Sequence, residues 1–156
     1  MNLKVRDYRK EDFPEIEKLW KATGMGGDFR ADDDQVIENT LNLGGKLLVL
    51  EETSSGEIIG TSWMTQDGRR IYFHHFGIKP RYQGMGYAHM LMEESLNFAK
   101  TTGKQIKLEV HESNHVAIRL YKKWGFNYLG DYEVYIIRNY TSGKNHLSLV
   151  ELEPDR

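Results

Sequence analysis

Hydrophobic positions change period along the chain, and each change marks an element. Leu3, Val5 and Tyr8 lie in a short segment that reads as an edge strand. Phe13, Ile16, Leu19 and Trp20 share one helical face, so Glu11 to Ala22 reads as a helix with Pro14 and Glu15 in its first turn. Gly24-Met25-Gly26-Gly27 ends it. The run Asp32-Asp33-Asp34 suits a second helix start, since carboxylates favour the positive end of the dipole. That helix is predicted to reach about Asn42, with Val36, Ile37 and Leu41 inward. Lys46 to Leu50, Ile58 to Thr65 and Arg70 to Ile78 then read as strands. Ser54-Ser55-Gly56 and Asp67-Gly68 supply the turns, which makes an antiparallel meander. Ile71, Phe73 and Phe76 are its expected buried positions in the third of these strands.

The helical period returns from Gly84 to Lys100, with Ala88, Leu91, Met92, Ser95, Leu96 and Ala99 on one stripe. Gln105 to Val110 reads as a strand, and Asn114 to Trp124 as a helix with Ala117, Leu120, Tyr121 and Trp124 on one face. Strand, helix and strand over 70–110 form a βαβ unit, so its two strands should run parallel. Two further strands are expected at Phe126-Asn127-Tyr128 and Val134 to Ile137. Residues 141–156 read as a polar tail or an extra strand, with Leu147, Leu149 and Leu152 as a docking or dimer patch.

With 156 residues the chain suits a single domain over 1–156. A net charge of −2 excludes a broad positive field, so neither nucleic acid nor a membrane is an expected partner. The absence of Cys excludes thiolate chemistry and disulfides. No apolar run approaches the ~18 residues needed to span a bilayer, and a cytoplasmic location is the expectation. The six His residues show no metal-ligand spacing such as H-E-x-x-H, so no metal is expected.

The informative feature is the loop Arg81-Tyr82-Gln83-Gly84-Met85-Gly86-Tyr87-Ala88, set between a strand and a helix. Gly84 and Gly86 let a ligand approach the backbone, and the first amides of a helix lack intrahelical partners. Together these make an anion site suited to a pyrophosphate, although a ligand-free glycine turn has the same look. The loop lacks the lysine and hydroxyl of a P-loop, and His89 stands where a dinucleotide fingerprint needs its third glycine.

Arg81-Tyr82-Gln83-Gly84-Met85-Gly86 resembles the R/Q-x-x-G-x-G/A signature of the GNAT superfamily of N-acetyltransferases. Phe76-Gly77-Ile78-Lys79-Pro80 is similar to the strand end that precedes it. Asn114 through Phe126 resembles the second signature, N-x-x-A-x-x-L-Y-x-K-x-G-F, about 30 residues further on. The resemblance implies a mixed α/β (α+β) fold whose fourth and fifth strands splay apart around acetyl-CoA. It implies pyrophosphate contacts from Gln83 to Ala88, with Arg81 and Tyr82 beside them, and pantetheine contacts from Phe76, Gly77 and Ile78. It also implies an oxyanion donor at the Ile78 N–H.

On the second helix, Asn114 reads from sequence as an N-cap, and the resemblance adds a contact to the cofactor arm. Tyr121 reads from spacing as core packing beside Ala117. The resemblance makes Tyr121 the acid that protonates the departing thiolate. For the base, His74, His75, Glu109 and His111 are candidates, with Glu109 preferred. Strand alternation is expected to place His74 and His75 on opposite faces. The loop Gly24 to Arg30 is expected to shape the acceptor pocket, and Asp28 with Asp32 to Asp34 to attract a cationic amine or simply to cap a helix. The function implied is acetyl transfer from acetyl-CoA to an amine on a small molecule or peptide, in a monomer or homodimer. A non-catalytic acyl-CoA-binding module and a nucleotide-binding regulatory module are the rival readings.

Overall fold

The structure, a computed structural model, describes residues 1–26 and 31–140. The chain divides into two compact units, residues 1–126 and 127–156. The first contains β1 (Leu3–Asp7), a 3-10 turn at Lys10–Asp12, α1 (Phe13–Ala22), α2 (Asp34–Asn42), β2 (Lys46–Glu52), β3 (Glu57–Gln66) and β4 (Arg70–Ile78). A second 3-10 turn at Pro80–Tyr82 leads to α3 (Ala88–Thr102), β5 (Gln105–Leu108) and α4 (His115–Lys123).

The five strands form one sheet in sequence order. The pairs β1–β2, β2–β3 and β3–β4 are antiparallel, and β4–β5 is parallel, as the βαβ reading requires. Helices cover both faces. On one, Ile16, Leu19 and Trp20 of α1 and Ile37 of α2 are buried with Leu47, Val49, Ile58 and Trp63. On the other, Leu91, Met92 and Ala99 of α3 pack against Leu48, Leu50, Ile59, Ile71 and Phe73, and Tyr121 joins that cluster from α4. Burial of each large apolar side chain is worth about 1.5–3 kcal/mol, so α1 and α3 hold the sheet rigid between them.

Two boundaries and two expected strands differ from the sequence reading. Helix α3 begins at Ala88 rather than at Gly84, because Gly84 and Gly86 take φ of 78° and 80°, outside the helical range. Strand β5 ends at Leu108 rather than Val110. Its partner β4 runs alongside only from Arg70 to Phe73, so the chain beyond Leu108 has no ladder to join. No strand forms at 126–128 or at 134–137. Tyr128, Val134, Tyr135, Ile136 and Ile137 are instead 68–90% exposed, showing that apolar alternation without a paired backbone makes no strand. The patch at Leu147, Leu149 and Leu152 lies outside the described residues.

Candidate active site

The early end of β5 shapes the site. Strand β4 continues from His74 to Ile78 with no β5 beside it, so the two strands part after Phe73. Gly60 and Ile78 are register partners, and the Lys79 N–H donates to the Ile59 carbonyl at 2.8 Å. That bond identifies Gly60 and Ile78 as a non-hydrogen-bonded pair. Both main-chain groups of Ile78 therefore face away from β3, toward the gap. The Ile78 carbonyl is engaged, since Gln83 Nε2 donates to it at 2.8 Å. Its N–H is left as a donor directed into the gap.

At one end of the gap, the 3-10 turn Pro80–Tyr82 delivers the glycine loop. Among the described residues, the amides of Gly84, Met85, Gly86, Tyr87 and Ala88 donate to no protein acceptor. A side chain built at Gly84 or Gly86 would meet no neighbour within 4 Å, so the space above these backbones is open. Successive free N–H groups with two glycines at positive φ make a concave anion site at the start of α3. Gln83 has its side chain on the Ile78 carbonyl, while Tyr82 and Tyr87 pack against the core and Met85 is exposed. Arg81 is two-thirds exposed, pairs with Glu57 and covers the Tyr82 ring at 4.8 Å. Glu57 also accepts from Lys79 Nζ at 3.0 Å and the Tyr82 hydroxyl at 2.8 Å, which fixes the approach to the loop.

The other wall is α4. The Asn114 side chain accepts from the Ala117 N–H at 3.2 Å, so it is the expected N-cap. Ala117 is half-buried. Tyr121 lies over the stretch of β4 that β5 has left, 6.2 Å from both Phe73 and Phe76 and 5.7 Å from Phe126 between ring centres. Burial pushes its phenol up to about 12. The Trp124 indole N–H, one turn on, donates to His89 Nδ1 at 2.9 Å, which ties α4 to the first turn of α3. No sequence pattern pointed to this pair.

The histidines of β4 are a correction. His75 has φ 41°, a left-handed value that marks a bulge, and Trp63 pairs with His74 while Thr61 pairs with Gly77. The bulge cancels the alternation. Both rings reach Trp63, His74 at 6.2 Å and His75 at 5.2 Å, so both face α1 and α2. A bulge costs strain at a non-glycine residue, and here it is held by bonds. The Thr61 hydroxyl donates to the His75 carbonyl at 2.8 Å, and Trp20 Nε1 donates to the Thr61 oxygen at 3.0 Å. His74 keeps an exposed edge, yet the surrounding protein desolvates its ring and lowers its pKa. The neighbouring His75 lowers it further, against the fields of Asp32 and Glu109. His74 Nε2 meets the Thr65 hydroxyl at 2.9 Å.

Glu109 is exposed, one residue beyond β5, and its field reaches His74 across the gap. His111 is turned away to Ser113, with Nδ1 at 2.7 Å from its hydroxyl. Of the acidic run, Asp33 is the α2 cap and accepts from Val36 N at 2.9 Å. Met25 lies against Gly77, where a β-carbon would sit 2.7 Å from its Cε. Asp28 and the stretch 27–30 lie outside the described residues. Among the described residues, no three His, Asp or Glu side chains are grouped to hold a metal, and no helix is long and apolar enough to cross a membrane.

A profile of the acetyltransferase (GNAT) family matches residues 5–126. Solved structures share the fold. An acetyltransferase of the GNAT family from Staphylococcus aureus Mu50 is 17% identical, with 85% of this chain and 89% of that chain covered and a TM-score of 0.73. A predicted acetyltransferase with acetyl-CoA from Clostridium acetobutylicum is 21% identical, covering 86% and 96% at a TM-score of 0.72. Glucosamine-6-phosphate N-acetyltransferase from Arabidopsis thaliana is 20% identical, covering 87% and 99% at a TM-score of 0.69.

Proposed function

The chain belongs to the GNAT family of acetyltransferases, and from that premise we propose that it moves the acetyl group of acetyl-CoA onto a primary amine. The observation that carries this reading is the parting of β4 from β5 after Phe73, which leaves the Ile78 N–H facing the gap. Free amides stand at one side of that gap and a half-buried phenol at the other.

In this reading, the free amides of Gly84 to Ala88 hold the pyrophosphate, while the Gln83 N–H is engaged with the Pro80 carbonyl at 3.2 Å and Arg81 and Tyr82 stand beside the loop. The pantetheine arm lies along Phe76, Gly77 and Ile78 as an added strand would, with Asn114 and Ala117 opposite. A neutral amine attacks the thioester carbonyl, so a C–N bond forms and charge gathers on the oxygen. The Ile78 N–H meets that charge. The C–S bond then breaks, and the Tyr121 phenol gives its proton to the leaving sulfur. Glu109 takes the proton that the nitrogen loses, through water and the neutral His74 that its field reaches. Holding both reactants in one gap contributes much of the rate, since such positioning is worth ~7–11 kcal/mol.

A mass-spectrometric screen of the purified protein with acetyl-CoA, mixed small amines and peptides tests the reading. Acetamide products that require the protein support it. Acetyl-CoA binding without any acetylated amine refutes amine transfer.

A further inference from the structure

The three carboxylates that precede α2 have different surroundings. Asp33 accepts from Val36 N, and Asp34 from Gln35 N at 3.0 Å. Asp32 caps nothing, and among the described residues no donor hydrogen-bonds its carboxylate. Its Oδ2 lies 2.9 Å from His75 Nε2, but that nitrogen makes no hydrogen bond in this geometry. The His75 side chain is only 9% exposed and is fixed edge-on to Trp20 at 4.4 Å and to Trp63 at 5.2 Å. Both indoles hold the ring in that orientation. Asp32 is 24% exposed, partly desolvated and still short of donors. Such a group has free energy to gain from a cation.

We propose that Asp32, backed by the buried His75, is the acceptor subsite for a second positive charge. The amine that is acetylated then belongs to a diamine or polyamine, and its far ammonium rests on Asp32. The proposal builds on the N-acetyltransferase reading above.

Position supports it. His75 precedes Ile78 by three residues, about 10 Å of extended strand, and the bulge shortens that span. Met25 is seated on Gly77 and Asp32 lies beside His75, both on the same stretch of β4. A second ammonium on Asp32 thus leaves the first near the Ile78 amide. The nearby charges agree in sign, since Glu109 and Asp32 both act on His74. The Lys107 ammonium is one ring further out, 5.9 Å from Tyr72, which itself stacks on His74 at 6.1 Å.

The test is steady-state transfer from acetyl-CoA by the full chain to spermidine, butylamine and glucosamine 6-phosphate. Spermidine is expected to have the highest kcat/KM. Asp32→Asn should lower the spermidine-to-butylamine ratio of kcat/KM about tenfold, the effect of one lost charge-assisted hydrogen bond at a partly exposed site. Asp32→Glu should recover part of the ratio. Asp32→Ser provides a second neutral variant should the Asn form fold poorly. An unchanged ratio, or a wild-type preference for glucosamine 6-phosphate, overturns the subsite while amine transfer stands. Failure to acetylate any amine overturns both readings.

Discussion

Tyr121 is where packing and chemistry meet. Its ring is fixed by Phe73, Phe76 and Phe126, and burial raises its phenol to about 12. A group with that value is protonated throughout neutral pH, which suits a proton donor and not a base. Tyr121→Phe keeps the ring and deletes the proton. Turnover should fall ~10²–10⁴-fold, while the KM for acetyl-CoA moves much less, because the loss is confined to the transition state. Steady-state kinetics against both substrates separates these effects, and a wild-type kcat would make Tyr121 packing alone. The opposite proton is governed by the acceptor. A free alkylamine has a pKa near ~10.4, so the rate should climb between about pH 6 and 8 as its neutral fraction grows. With Glu109 in the relay, Glu109→Gln lowers kcat at neutral pH and recovers part of it at high pH. Superimposable pH profiles would make Glu109 a bystander.

Elements determine whether these residues meet. The indole of Trp124 bonds His89 Nδ1 at 2.9 Å, so the end of α4 is tied to the first turn of α3. Tyr121 is on α4 and the free amides lead into α3, and this single bond therefore sets the phenol relative to the anion site. Trp124→Phe should lower kcat severalfold with a stability loss of about 1 kcal/mol, the usual net worth of one such bond. His89→Leu should behave alike. His89→Asn, which keeps an acceptor close to the Nδ1 position, should restore much of kcat, a rescue that bulk packing would not give. The sequence made the elements legible because α1 and α3 carry a helical period and the turns between β2, β3 and β4 carry Ser-Ser-Gly and Asp-Gly. It made Asn114 legible as a cap because Asn at a helix start has a local reason to be there. The bulge at His75 was not legible. Alternation assumes an unbroken ladder, whereas this one is broken by the buried contacts of Trp20 and Thr61, distant in sequence. The end of β5 at Leu108 was hidden for the same reason, since the apolar pattern continues to Val110 while the partner strand departs. The strands expected at 126–128 and 134–137 failed in a related way, because a period of two reports a face and not a neighbour.

Acid places these elements under a common strain, because carboxylates anchor the sheet in two separate ion clusters. At the first, Asp12 is buried. Burial alone would raise its pKa, but the two terminal guanidinium nitrogens of Arg6 at 2.8 and 3.0 Å and the Arg9 N–H at 2.7 Å outweigh that and lower it. Arg6 also reaches Glu51 at 2.5 Å, so β1, β2 and the start of α1 share one ion cluster. At the second, Glu57 is lowered from 4.5 to about 2, chiefly by the Tyr82 hydroxyl and also by Lys79 and Arg81. A carboxylate whose folded pKa lies below its unfolded value contributes stability that is complete above the unfolded value and lost as pH falls toward the folded one. The midpoint of thermal unfolding should therefore begin to decline below about pH 6.5, where the unfolded chain protonates His74 more readily than the folded one, and should drop further between about 4.5 and 2. Glu57→Gln removes one of these carboxylates, so the variant should be less stable at pH 7 and lose less on acidification. It should also weaken acetyl-CoA binding, since Glu57 positions Lys79, Arg81 and Tyr82 ahead of the glycine loop. Thermal melts across pH, paired with calorimetric titration of acetyl-CoA, check both effects. Parallel acid curves for wild type and variant would remove Glu57 from the acid response, and unchanged affinity would free the loop from this anchor.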